Sequence, residues 1–293
     1  MEDKNEPESK VRVACIQMEP RIGENDRNLA TSLKKINDAG SSGARLVVLP
    51  ELCNSGYIFK TRDEANSLAE RIPDGPSCQG WADMAARYNM YIVAGIAESD
   101  GFALYNSAVV IGPEGVIGTY RKNHLWGEEN LFFEPGNLGV PVFHTAIGRI
   151  AVVVCYDVWF PETFRLSALQ GADILCVPTN WVPMPDQPKH LPKMANILSM
   201  SGAHSNSMFV AAANRVGVER GQSFIGNSLI VSYTGWPIAG PATEDKEEIL
   251  FADINLSDAR RRRNWNDFNQ VLRDRRTDLY DEHLGADIPD SWY

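Results

Sequence analysis

The segment Ile150-Ala151-Val152-Val153-Val154-Cys155 is almost purely apolar, at both odd and even positions. A strand with one wet face alternates polar and apolar residues, so this run predicts a strand buried on both faces. Such a strand needs layers above and below it, which restricts the chain to a sheet covered on both sides. The flanking pattern agrees. Pro161 opens a predicted helix that runs to Gln170 and stops at Gly171, and Asp173–Val177 is a second buried strand.

The same alternation runs through the rest of the chain. Val11–Gln17 reads as a strand. Asn28–Ala39 places Leu29, Leu33 and Ile36 at helical spacing and stops at Gly40. Arg45–Leu49 is a short apolar run that ends abruptly at Pro50. Trp81–Asn89 reads as helix and Tyr91–Ala97 as extended. Leu104–Ile111 and Val116–Tyr120 flank Gly112-Pro113-Glu114-Gly115, the signature of a hairpin. Lys189–Ser205 is predicted helical, Met208–Asn214 extended, and Ser228–Ser232 and Ile249–Ile254 are later strands. Hairpins mixed with strand–helix units argue against a purely parallel nucleotide-binding sheet. No GxGxxG follows a strand and no GxxxxGK[ST] occurs. The expectation is one α/β domain, with a mixed sheet or pair of sheets and helices outside.

Composition narrows the partners. With 293 residues, 44% of them hydrophobic, the chain can bury a core without disulfides or metal. Its formal net charge of −10, from 38 acidic and 28 basic residues, disfavours nucleic acid and anionic membrane as partners. Arg260–Arg263, four like charges, therefore reads as a solvated segment or an oligomer contact. The five cysteines, Cys15, Cys53, Cys78, Cys155 and Cys176, are odd in number and form no CxxC pair, and the five histidines follow no metal-ligand spacing. This predicts a reduced, cytoplasmic protein with no metal or cofactor. Met1–Lys10 is polar and carries no apolar stretch, so residues 1–10 are expected to be a disordered tail. Residues 281–293 are expected to form a second tail after a domain spanning 11–280.

Three polar side chains sit just past apolar strands: Glu51 after Leu49-Pro50, Lys122 after Val116–Arg121, and Cys155 itself. Strand ends of α/β sheets converge on a shared crevice. A thiol needs a base or a neighbouring cation to become a nucleophile. A carboxylate in an apolar site can be that base and later an acid. A lysine beside them lowers the thiol pKa and holds a developing oxyanion. Pattern alone leaves blander readings open: an inert core thiol, a turn carboxylate and a solvated lysine.

The motifs around these residues go further. Leu49-Pro50-Glu51-Leu52 with Ser55-Gly56-Tyr57, then Tyr120-Arg121-Lys122-Asn123-His124-Leu125, then Val154-Cys155-Tyr156-Asp157 with Phe160-Pro161-Glu162, resemble in order and spacing the glutamate, lysine and cysteine motifs of the nitrilase, or carbon–nitrogen hydrolase, superfamily. The resemblance covers roughly residues 11–280. Glu129, followed by Phe132, Phe133, Pro135 and Gly136, resembles a further active-site glutamate of that family; a one-residue slip would put Glu128 there instead.

The resemblance implies a fold, a four-layer α-β-β-α sandwich, and association through the helical faces into a homodimer or larger homo-oligomer. Arg275-Arg276 with Leu279-Tyr280 resembles a C-terminal segment that reaches a neighbouring subunit. The implied mechanism makes Cys155 the nucleophile, Glu51 the base and acid, and Lys122 with the Tyr156 backbone N–H the oxyanion donors. Glu129 orients Lys122 or the substrate. Tyr57, Trp126, Tyr156, Asn180 and Trp181 lie in or beside the motifs as candidate pocket residues. Cys-Tyr-Asp is similar to the amidase and carbamoylase branches, whereas nitrilases tend towards Cys-Trp-Glu. The implied substrate is thus a small amide or N-carbamoyl compound. A nitrile, or a non-catalytic or redox-sensing protein on the same fold, are the alternatives.

Overall fold

The structure is a computed structural model that describes residues 10–284. In chain order the first half comprises β1 (Val11–Gln17), α1 (Asn25–Ser41), β2 (Leu46–Val48), α2 (Arg62–Leu68), α3 (Pro76–Tyr88), β3 (Tyr91–Asp100), β4 (Ala103–Gly112) and β5 (Gly115–Arg121). Next come β6 (Val142–Thr145), β7 (Gly148–Val152), α4 (Pro161–Leu169), β8 (Ile174–Thr179), α5 (Met194–Asn206) and β9 (Phe209–Asn214). Then follow the small hairpin β10 (Val218–Glu219) and β11 (Gln222–Ser223), β12 (Leu229–Val231), β13 (Pro237–Ala239), β14 (Glu248–Ile254), α6 (Ser257–Arg261) and α7 (Thr277–Leu284).

Two six-stranded sheets result, ordered β14-β1-β2-β3-β4-β5 and β13-β12-β9-β8-β7-β6. Each has a parallel centre, β1-β2-β3 in one and β7-β8-β9 in the other, with antiparallel strands on both flanks. The side-chain period of two explains the layering. In β1, Val13 and Cys15 join Val48, Val177 and Val210 in the core between the sheets. Ala14 and Ile16 face the other way, into a second core with Ile36 of α1 and Trp81 and Ala85 of α3. On the far side, Phe164 of α4 and Ala195 and Ala203 of α5 cover the second sheet. A strand packed on both faces has no polar parity, so its sequence is continuously apolar. This is the four-layer sandwich that the motifs imply.

Several boundaries differ from the sequence expectation. The run 150–155 is strand only to Val152; Cys155 opens a 3₁₀ turn, Cys155–Trp159, with φ of 48°. The helix expected from Lys189 begins at Met194, because Pro192 interrupts the expected span. Helix α1 starts earlier, at Asn25, and α3 starts at Pro76, which fills a first-turn position where no N–H is needed. Residues 1–9 and 285–293, most of both expected tails, lie outside the described residues, and residues 281–284 continue α7. Among the described residues no helix is long and apolar enough to cross a membrane.

Candidate active site

Glu51 lies on the turn after β2. The turn is fixed from β3: the Leu49 N–H donates to the Val93 carbonyl at 2.9 Å and the Gly95 N–H to the Pro50 carbonyl at 3.1 Å. Gly95 faces the backbone of Pro50, Glu51 and Leu52 so closely that any Cβ would strike it. Lys122 follows β5, with its N–H on the Asn106 carbonyl and its carbonyl on the Gly136 N–H, both at 2.8 Å.

Cys155 sits at the first position of its turn in a left-handed conformation, which costs a non-glycine residue about 1–3 kcal/mol and persists only when its surroundings enforce it. Asp157 does the enforcing. Its Oδ2 accepts the Val154 N–H at 2.8 Å and the Tyr120 hydroxyl at 2.6 Å. Its Oδ1 accepts the His124 N–H at 3.1 Å and lies 2.7 Å from His124 Nδ1, while the His124 ring stacks on Phe160 at 3.7 Å.

Facing closure of the two sheets brings these side chains together. Lys122 Nζ donates to Glu51 Oε1 and to Glu129 Oε1, both at 2.7 Å, and both ion pairs are buried. Asn106 Nδ2 donates to Glu51 Oε1 at 2.7 Å, and Asn180 Nδ2 to the Glu51 carbonyl at 2.9 Å. The Tyr57 hydroxyl donates to Glu129 Oε1 at 2.5 Å. Glu51 Oε2 has no hydrogen-bond partner among the described residues, so one carboxylate oxygen is free to take a proton. Glu129, not Glu128, is the residue against Lys122; Glu128 is exposed.

Two carboxyl groups share the one ammonium of Lys122. Burial pushes the Cys155 thiol well above its ordinary value, and the Glu51 carboxylate adds to this; Lys122 and the Thr179 hydroxyl pull only partly the other way. Lys122 does pull the thiol pKa down, as expected, but burial first and the Glu51 charge second outweigh it. Burial would discharge Lys122, but Glu129 and Glu51 outweigh it and hold the ammonium above its usual range. Burial raises Glu129, against the pull of Lys122. Tyr57 is raised by burial and by Glu129, so its hydroxyl stays a donor.

A cavity of about 20 Å³ opens at the sulfur between Trp126, Tyr156, Trp159, Asn180 and Trp181, and Val182 and Met184 close its outer side. Four of the five expected pocket residues line it. Tyr57 does not; it lines an adjoining cavity of about 230 Å³ with Glu129 and Trp126. Trp159, which was not among the expected residues, also lines the thiol pocket. A larger cleft of about 480 Å³ by Arg149 and Arg260 contains none of these groups. Asn106, Thr179 and the Asp157 brace escaped the sequence reading. Asn106 and Thr179 are polar residues inside strands, where they resemble ordinary alternation; Asp157 lies within a quoted motif, whose spacing does not show what its carboxylate binds.

The family model of the carbon–nitrogen hydrolases matches residues 12–264, and the chain belongs to that family, within the nitrilase superfamily. It is a hydrolase of carbon–nitrogen bonds other than peptide bonds. A protein of Pyrococcus abyssi named nitrilase is 45% identical over 270 residues, 92% of this chain and 99% of its own. An N-carbamoylputrescine amidase of Solanum lycopersicum is 33% identical over 280 residues, 89% and 90% of the two chains. Among solved structures, a carbon–nitrogen hydrolase of Helicobacter pylori G27 superposes with a TM-score of 0.84 at 28% identity, covering 94% of this chain and 99% of its own.

Proposed function

We propose that the protein hydrolyses a small amide or N-carbamoyl compound through a thioester on Cys155. The observation that carries this reading is the buried chain Glu51–Lys122–Glu129 beside a thiol held at a strained turn, with Glu51 Oε2 unpartnered. The thiol rests protonated. As sulfur attacks the carbonyl carbon, its proton passes to Glu51, so no standing thiolate is needed. The carbonyl electrons move to oxygen. The third N–H of Lys122, beyond the two spent on carboxylates, and the Tyr156 backbone N–H receive that oxyanion. Collapse breaks the C–N bond, and the Glu51 proton goes to the departing nitrogen. Water then gives a proton to Glu51 and its oxygen to the acyl carbon; the C–S bond breaks and sulfur recovers the proton. Substrate plus water becomes acid plus amine or ammonia, and the enzyme is unchanged.

The second reading, nitrile hydrolysis, is favoured by the name of the Pyrococcus abyssi relative. The same thiol, base and lysine serve both routes. The branch preference rests on Tyr156-Asp157, of which Tyr156 lines the pocket and Asp157 braces the turn beneath it. The N-carbamoylputrescine amidase supports the first reading. Matched substrates decide: one acyl group offered as amide, N-carbamoyl analogue and nitrile, with ammonia and acid measured. The amide or N-carbamoyl compound is expected to give the higher kcat/KM. A consistent advantage for nitriles across several acyl groups would establish the second reading.

A further inference from the structure

The deepest ion pair outside the reacting cluster is Arg215–Glu219. Arg215 directly follows β9 and Glu219 ends β10; their side chains are 1% and 5% exposed, with Nη1 and Oε1 3.0 Å apart. Burying two charges is costly even when they are paired, and a hydrophobic pair of the same shape is often no less stable. The rest of the bonding shows what this pair holds. Glu219 Oε2 accepts the backbone N–H groups of Tyr57 and Ile58, both at 2.7 Å. Arg215 Nη2 donates to the Pro20 carbonyl at 2.7 Å, and its guanidinium lies 4.0 Å over the Phe224 ring. Phe224 in turn meets the Tyr57 ring edge-on at 5.9 Å. Gly56, at φ of 87°, lets the loop approach: a Cβ there would strike the Ile22 backbone and come within 2.9 Å of Glu219 Oε1.

A second clasp comes from the same hairpin. Arg220 reaches Glu64 at 2.6 Å and donates to the Ile58 carbonyl at 2.7 Å. The loop that carries Tyr57 is thus gripped by a buried carboxylate from within and a guanidinium from outside. Its cargo is one hydroxyl, which meets Glu129, which meets Lys122. Every link from Arg215 to Lys122 is a direct hydrogen bond, an ion pair or the covalent frame of Tyr57.

We propose that Glu219 is a positioning residue for the active-site lysine: it fixes the backbone of Tyr57 so that the tyrosine hydroxyl holds Glu129, and Glu129 holds Lys122 against the thiol. The proposal rests on the catalytic roles given above, but its geometry and its test do not require a known substrate. Without the Glu219 carboxylate the two N–H groups lose their acceptor, the tyrosine hydroxyl drifts from Glu129, and Lys122 loses one wall of its socket. Glu219→Gln brings an amide N–H₂ into a nest of donors, Arg215 on one side and two backbone N–H groups on the other. Tyr57→Phe removes only the final link.

The test is a double-mutant cycle on the rate of Cys155 labelling by iodoacetamide, read by peptide mapping of the full-length protein at fixed pH, with thermal melts alongside. Displacing the ammonium removes a charge that favours the thiolate, so each single variant should label roughly three- to tenfold more slowly, one tenfold step corresponding to one pKa unit. The double variant should label no more slowly than the slower single, because both changes act through one contact. If Glu219→Gln does not fold, Glu219→Asp takes its place; it keeps the pair with Arg215 but is too short to hold both N–H groups. Labelling at the wild-type rate in the Glu219 variant, or losses that multiply in the double variant, would overturn the proposal. Failure of the hydrolase reading is separate: it would appear as a wild-type protein that turns over no amide, N-carbamoyl compound or nitrile, whatever the cycle shows.

Discussion

At the scale of residues, the decisive balance is between Lys122 and its two carboxylates. Burial keeps the thiol protonated; the Glu51 charge adds to this, and Lys122, shared between Glu51 and Glu129, only partly offsets it. A group whose pKa is raised ionises later, so Cys155 labelling should climb steadily through pH 9 with no plateau near neutrality. Glu51→Gln removes the strongest charge that opposes the thiolate. It should therefore speed labelling at a given pH while abolishing turnover, two effects of opposite sign from one substitution. A neutral-pH plateau in wild type, or slower labelling in Glu51→Gln, would contradict this balance. Glu51, Lys122 and Cys155 stood out in the sequence as polar side chains just past apolar strands, and the family motifs around them singled them out from blander readings. The electrostatic sum was not legible there, because it depends on which carboxylates reach Lys122, and Glu129 arrives from a separate 3₁₀ turn.

At the scale of elements, the site hangs on close backbone contacts between β3 and the turn after β2. Gly95 lies in the middle of β3, where a side chain would meet the backbone of Pro50, Glu51 and Leu52. Gly95→Ala must push that turn aside, and overpacking of this kind costs about 1–3 kcal/mol. The displaced part carries Glu51, so activity should suffer more than stability: a loss of roughly a hundredfold in kcat/KM, of the size seen when a catalytic group is misplaced by about 1 Å, with the melt lowered but still cooperative. Near-normal turnover would show that the turn tolerates the shift. The long apolar strands and the helix after Pro161 were readable from pattern. The β10–β11 hairpin, α2 and β6 were not, since strands of two to four residues and a seven-residue polar helix carry too few periods to register.

At the scale of the molecule, neither sheet owns the site. Glu51 and Lys122 come from the ends of β2 and β5 in one sheet, Cys155 and Asn180 from the ends of β7 and β8 in the other. Only face-to-face packing joins them, so the chemistry is a property of the closed sandwich and is absent from either half. Local sequence reasoning could see strands but not their pairing: β14 completes the first sheet by lying antiparallel to β1, at the opposite end of the chain. The family resemblance implied the four layers but not this pairing, which the structure shows, and the two-sided core of β1 is consistent with it. The central claim is that this closed site forms a covalent acyl intermediate on Cys155. Acid-quenched turnover of a hydrolysed amide or N-carbamoyl compound, followed by intact-mass measurement and peptide mapping, tests it directly. The account predicts an added mass equal to the acyl group on the peptide containing Cys155, and neither adduct nor turnover in Cys155→Ala. Turnover that persists in Cys155→Ala, or an acyl group mapped to any other residue, would contradict it.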